Sequence, residues 1–257
     1  MSIVIETLRG YWHTAVADLR YQALYVLCWR TLVKLLSPVV KIDLQILYEY
    51  DLTTPVVVHQ ARIECAIGPA TPADIEDILD MQMQLLSPEL VAQLSDEEEL
   101  QYALMCRSRA NARDTYVRAM QAGERCFVAR VDGRIAHSNW IRFHDNGWME
   151  GRPVDLLPGE IYSTDGFTAE AWRGKRLHEA VATFQLRFAQ LQGCHRAYTI
   201  TDLTKAGSRR GVLRIGWQRR GRIVYVTPRL LRRTWLFRLS GDLEPMFRHA
   251  RAMAAAP

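Results

Sequence analysis

Between Glu160 and Val181 the chain reads EIYSTDGFTAEAWRGKRLHEAV, a β-like segment that passes through a short basic, glycine-containing turn into a long helix. The strand-like part spans Ile161 to Thr168. Beyond the turn, Leu177, Val181, Phe184, Phe188 and Leu191 recur at alternating spacings of four and three, which puts them on one stripe of a helix. Gly193 stands where a helix stop belongs. A strand feeding a helix N-terminus through such a turn is suited to holding a phosphate group. The first N–H groups of a helix have no partner within it, and the helix dipole adds partial positive charge at the same place. Arg173, Lys175 and Arg176 place mobile cations there. The alternative is a βα unit whose basic first turn is only a solvated surface.

The flanking segments fall in a definite order. Arg62-Ile-Glu-Cys-Ala-Ile reads as a strand, and Thr71-Pro72 is a good N-cap pair for a helix over Asp74 to Leu86. Ser95-Asp-Glu-Glu has the form of a capping box for a further helix. Cys126 to Val131 and Ile135 to Phe143 are apolar runs joined through Asp132-Gly133, a strong short-range hairpin signal. Asp145 to Gly159 reads as a long loop. Ala197 to Thr201 is a strand, Ser208 to Arg214 a helix, and Gly216-Trp217 precedes a last strand, Arg222 to Val226.

This order, with Arg173 to His178 at the turn, resembles the GNAT superfamily of acyltransferases over roughly residues 62–228. The resemblance implies an α/β (α+β) fold: a mixed, mostly antiparallel central sheet flanked by helices, here with an N-terminal helical and strand extension. It implies an enzyme that moves an acetyl or acyl group from a coenzyme A thioester to an amine. Cofactor contacts are expected from Phe167, Thr168, Arg173, Gly174, Lys175, Arg176, Leu177 and His178, and no metal is expected. Two departures stand out. Arg176 and His178 occupy positions where the family's pyrophosphate loop carries small residues, which limits backbone approach to the phosphate. The tyrosine that many members use as general acid is missing, its place falling near Val212.

The chemistry implied is direct attack of a neutral amine on the thioester carbonyl, which calls for a base near the fourth strand. Asp165 is the only carboxylate within that strand and is the first candidate base; Asp165-Gly166 also reads as a bulge that splays the strand. Tyr198 is a further candidate catalytic residue, and Ser208 a donor to the leaving thiolate. The donor is expected to be acetyl-CoA or a longer acyl-CoA. Two alternatives stay open: a long-chain N-acyltransferase drawing on an acyl carrier protein, and a degenerate, non-catalytic binding module of the same fold. The acceptor is expected to be a small-molecule amine.

Composition enters through charge and cysteine. The 257 residues carry a net charge of +5, unevenly spread. No Lys or Arg occurs from Ile63 to Cys106, and no Asp or Glu from Leu203 to Gly241, where Arg209, Arg210, Arg214, Arg219, Arg220, Arg222, Arg229, Arg232, Arg233 and Arg238 gather. Such a run favours an anionic partner. Nucleic acid is not expected, because no recognised binding motif accompanies the arginines. The five cysteines are scattered and lack a C-x-x-C pair, which argues against a disulfide scaffold or a zinc site and suits a reducing cytosol.

Residues 8–36 read as an amphipathic helical segment whose longest uncharged run, Tyr21 to Trp29, is far short of the roughly twenty residues a membrane span needs. The segment either packs on the core or on a second protomer, giving a homodimer, or lies in a membrane interface with its aromatic residues at headgroup level. The expected division is 1–55 for the extension, 56–228 for the acyltransferase domain and 229–257 for a basic C-terminal segment. The expected location is cytoplasmic, with peripheral contact on the inner face of the membrane as an option.

Overall fold

The computed structural model describes residues 29, 31–33, 35–36, 38–83, 96–143, 147–149, 152–154, 156–228, 230 and 235–242. They fall into two compact units, a central one from residues 50–199 with 245–257, and a flanking one from residues 1–49 with 200–244. The helical reading of residues 8–36 lies almost wholly outside the described residues, as do Ser95 and most of the C-terminal basic segment. No helix among the described residues is long and apolar enough to cross a membrane.

In the central unit, strand β2 (Ala66–Pro69) leads through a 3-10 turn (Pro72–Asp74) into helix α1 (Ile75–Met83) and then α2 (Asp96–Gln121). Strands β3 (Arg125–Val131) and β4 (Arg134–Arg142) follow, then a small hairpin of β5 (Gly147–Met149) and β6 (Arg152–Val154). Strand β7 (Glu160–Thr168), helix α3 (Leu177–Leu191) and strand β8 (Arg196–Asp202), which begins in this unit, complete it. The strands lie in the order β8-β7-β4-β3-β2. Only β7 and β8 run parallel; the other pairings are antiparallel, so the sheet is mixed and mostly antiparallel as expected.

The β3–β4 turn forms as the Asp-Gly pair predicts. Asp132 and Gly133 both hold positive φ, 49° and 76°, the geometry that matches a tight hairpin to the strand twist. The period-2 alternation then sorts side chains to two faces. Cys126, Val128 and Trp140 pack with Ile78 and Met81 of α1, while Phe127 on the other face meets Phe184 and Phe188 of α3 at ring distances of 5.8 and 5.1 Å.

Helix α3 departs from the single stripe. Leu177 and Val181 are buried, but so are Glu179, Thr183 and Gln185, while Leu191 is 68% exposed. The reason is that α3 is covered on two sides. Residues 52–62 run along it as a strap: Gln190 donates to the carbonyls of Leu52 and Thr54 at 2.7 and 2.6 Å, and the His59 N–H donates to Thr183 Oγ1 at 2.9 Å. The Arg62 N–H then donates to the Lys175 carbonyl at 2.8 Å, at the far end of the helix. The loop expected over 145–159 contains the β5–β6 hairpin instead, with Trp148 opposite Pro153.

The flanking unit is built on β1 (Val40–Asp51, mostly within it), paired antiparallel with β9 (Gln218–Pro228) from Val40↔Pro228 to Glu49↔Gln218. Strand β10 (Trp235–Gly241) pairs with β9 on its other side, and helix α4 (Ala206–Ile215) stops at Gly216 with φ of 104°. The β1–β9 ladder joins residues 40–49 to residues 218–228, and strand β10 lies within the expected basic segment 229–257.

Candidate functional site

The site grows from an irregularity in β7. In the β4–β7 ladder Ser138 faces Phe167 and Trp140 faces Thr164, so Asn139 alone opposes both Asp165 and Gly166. This is a β-bulge, and Asp165 adopts a left-handed φ of 51° within it. The β7–β8 ladder covers only Glu160↔Arg196 to Ser163↔Thr199. Strand β7 continues to Thr168 with β4 as its paired neighbour, so its last stretch does not continue the β7–β8 ladder.

A basic turn follows. A 3-10 turn (Glu170–Trp172) leads to Arg173; Gly174 has φ of 78° and Arg176, the N-cap of α3, has φ of 58°. The Arg176 side chain makes no cap hydrogen bond at the helix N-terminus. Arg173, Gly174, Lys175 and Arg176 are all exposed. Arg173 reaches back, its Nε donating to the Thr168 carbonyl at 3.4 Å and its Nη1 standing 3.7 Å from Glu170. Arg62, distant in sequence, joins this cationic region through its backbone bond to Lys175. The left-handed turn therefore forms although Arg176 stands where a small residue was expected.

On the α3 face of β4 and β7 lies a polar layer. Asn139 Nδ2 donates to Gln185 Oε1 at 2.6 Å and to Ser163 Oγ at 3.2 Å, and Gln185 Nε2 returns a bond to the Asn139 carbonyl at 2.9 Å. His137, 1% exposed, bonds through Nδ1 to Thr168 Oγ1 at 2.7 Å. Its ring meets that of His178, in the first turn of α3, edge-on at 5.6 Å. Burial, and then the neighbouring His178, hold the His137 pKa well below the ordinary imidazole value, so the ring is neutral near pH 7.

The opposite face carries Asp165, whose side chain is 47% exposed, with Arg142 Nη2 at 3.9 Å from its carboxylate. Arg142 Nε stands 3.2 Å from Glu124. Tyr116 stacks on Trp140 at 4.7 Å and donates to Gln82 Oε1 at 3.0 Å. Burial, with the charge of Asp165 adding to it, pushes the Tyr116 hydroxyl up to about 12, so it stays protonated. A pocket of about 270 Å³, lined among others by Val117, Met120, Glu124 and Cys126, opens by the start of β3.

The other expected site residues are placed as follows. Phe167 turns toward the α1 cluster, and Leu177 is core with its backbone at the helix start. Tyr198 is buried and its hydroxyl donates to Glu160 Oε1 at 3.2 Å. Ser208 lies on α4, in the flanking unit. Sequence reasoning missed His137, Asn139, Gln185, Tyr116, Arg142 and Arg62. One signal was available for the first two: His-Ser-Asn sits in the middle of the apolar run Ile135 to Ile141.

No family model and no curated protein matches this sequence. Among solved structures, the chain is similar to a conserved protein of unknown function from Staphylococcus epidermidis, at 13% identity and TM-score 0.47, over 76% of this chain and 64% of that one. It is similar to a GCN5-related N-acetyltransferase from Sphaerobacter thermophilus at 12% identity and TM-score 0.47, over 77% of this chain and 56% of that one. A putative GNAT-family acetyltransferase from Novosphingobium aromaticivorans gives 14% identity and TM-score 0.44, over 79% of this chain and 69% of that one. The chain thus spans less than two thirds of the first two proteins.

Proposed function

We propose that the central unit binds a coenzyme A thioester and transfers its acyl group to an amine. The observation that carries this reading is the sequence of features along β7: a ladder with β8 that stops at Ser163, a bulge at Asp165-Gly166, and a basic left-handed turn at the start of α3. The last stretch of β7 offers main-chain groups to the pantetheine arm, and the turn offers backbone N–H groups, helix dipole and cations to the pyrophosphate.

In this reading the thioester carbonyl lies by the bulge. The acceptor amine approaches from the face that carries Asp165, Arg142 and Tyr116. Asp165 takes the amine proton, the C–N bond forms, the C–S bond breaks and coenzyme A leaves as the thiolate with the electron pair. Arg142, with Nη2 3.9 Å from the Asp165 carboxylate, forms an ion pair beside it on this face. Tyr198 contributes indirectly, holding Glu160 at the start of β7.

The test is thermal unfolding of the full chain titrated with coenzyme A, acetyl-CoA and palmitoyl-CoA. A ligand at a hundred times its dissociation constant adds about 2.7 kcal/mol of stability. Stabilisation by acetyl-CoA, lost in an Arg173→Ala, Arg176→Ala pair, is the expected result. Stabilisation by the long-chain thioester alone points to a long-acyl enzyme. No stabilisation by any of the three overturns the coenzyme A reading and turns attention to an acylated carrier protein, which the acid-free run from Leu203 to Gly241 would suit.

A further inference from the structure

His137 sits opposite Thr168 in the β4–β7 ladder, and its Nδ1 lies 2.7 Å from the Thr168 hydroxyl oxygen. Its other nitrogen, Nε2, is buried and has no hydrogen-bond partner among the described residues. The place of the proton on this neutral ring follows. Were it on Nε2, a buried N–H would be left without an acceptor. With the proton on Nδ1, that N–H donates to Thr168 and Nε2 keeps only an idle lone pair, the lesser loss. Thr168 then accepts from His137 and has its own O–H left to donate. Thr168 is the half-buried last residue of β7, and its carbonyl is already taken by Arg173.

The pair lies on the same face as the polar layer of Asn139, Gln185 and Ser163, yet an apolar residue at 137 would leave no orphaned nitrogen. The pair does join two parts of the site. The same imidazole touches the end of β7 through Thr168 and the first turn of α3 through His178. Beside it, Gly166 is pressed against Asn139 and His178: a Cβ there would come within 3.2 Å of Asn139 Oδ1 and 3.7 Å of the His178 ring.

We infer that His137 is a positioning residue: through its Nδ1–H it turns the Thr168 hydroxyl outward, as a hydrogen-bond donor to the pantetheine or pyrophosphate oxygens of the acyl donor. This rests on the coenzyme A reading above and adds to it a side-chain contact and the residue that orients it.

The first readout needs no variant: ¹⁵N NMR of the histidine rings in the unliganded protein is expected to report the Nδ1–H tautomer for His137. The Nε2–H tautomer would overturn the assignment. The second is the dissociation constant for acetyl-CoA. Thr168→Val and His137→Phe should each weaken it roughly threefold to tenfold, the worth of one neutral hydrogen bond. The double variant should be no worse than either single, since both remove the same bond. His137→Asn, whose amide N–H can stand in for Nδ1–H, should bind like the wild type, a recovery that a merely structural role does not predict. Wild-type affinity in Thr168→Val, or additive losses in the double variant, overturn the inference alone. A wild-type protein that binds no coenzyme A thioester overturns it together with the reading it rests on, and the tautomer measurement then shows whether the His137–Thr168 geometry itself was read correctly.

Discussion

Arg176 holds a backbone conformation that costs a non-glycine residue roughly 1–2 kcal/mol. Glycine would relieve that strain but is itself more flexible in the unfolded chain, by about 0.5–1 kcal/mol. Arg176→Gly is therefore expected to leave stability unchanged or raise it by up to about 1.5 kcal/mol, read as the denaturant midpoint at constant m-value. A clear loss would mean that the Arg176 side chain makes a contact worth more than the strain. His137 gives a pH dependence with a fixed sign. Its folded pKa is depressed below the ordinary imidazole value of 6.5, so the unfolded chain takes up the proton first. Stability attributable to this group is full above pH 6.5 and falls as the pH drops below it, by at most about 1.4 kcal/mol per pH unit. Urea unfolding at pH 7 and pH 5.5 should show a smaller loss for His137→Asn than for the wild type. At this scale the sequence was legible where chemistry dictates geometry, as in Asp132-Gly133 and the bulge at Asp165-Gly166. It was opaque at His137, because the residue that gives this imidazole meaning, Thr168, is placed opposite it only by strand register.

Helix α3 shows what periodicity can and cannot say. The stripe from Leu177 to Phe188 located the helix and Gly193 its end, but not the second cover. Residues 52–62 have no helical or strand repeat; they are held by single bonds from Gln190, Thr183 and Lys175, which no local pattern announces. Gln190 carries the most of this, serving two carbonyls and standing 3.5 Å from the Val56 N–H. Gln190→Ala should destabilise the protein by about 1–2 kcal/mol. It should also speed hydrogen exchange at the Val56, His59 and Arg62 amides while leaving β3 and β4 protected. Uniform acceleration across the unit would instead mean that the strap does not open separately. The short β5–β6 hairpin escaped notice for a related reason: Gly147 and Pro153 are loop-forming residues, and three residues per strand are too few to show an alternation.

For the whole chain, the charge asymmetry was plain in the sequence and falls along the fold: the acid-free run belongs to the flanking unit and the acidic run to the α1 region of the central unit. An anionic thioester approaching a protein of net charge +5 should do so faster at low salt. The association rate of coenzyme A is expected to fall as ionic strength rises from about 0.01 to 0.15 M, where the screening length shrinks from about 30 to 8 Å. A salt-independent rate would show that the cations contribute at short range only. The pairing of β1 with β9 was beyond local reasoning, since it joins segments far apart in the sequence.

That pairing also has a consequence in time. Strand β1, with Leu44, Ile46, Leu47 and Tyr48 destined for burial, is made well before its partner Gln218–Pro228. At about 5–20 residues per second the wait is on the order of ten seconds or more. Throughout it an apolar strand edge is open to other nascent chains. That delay is set by the order of the strands along the chain, and a chaperone that shelters β1 until β9 is made would raise the yield.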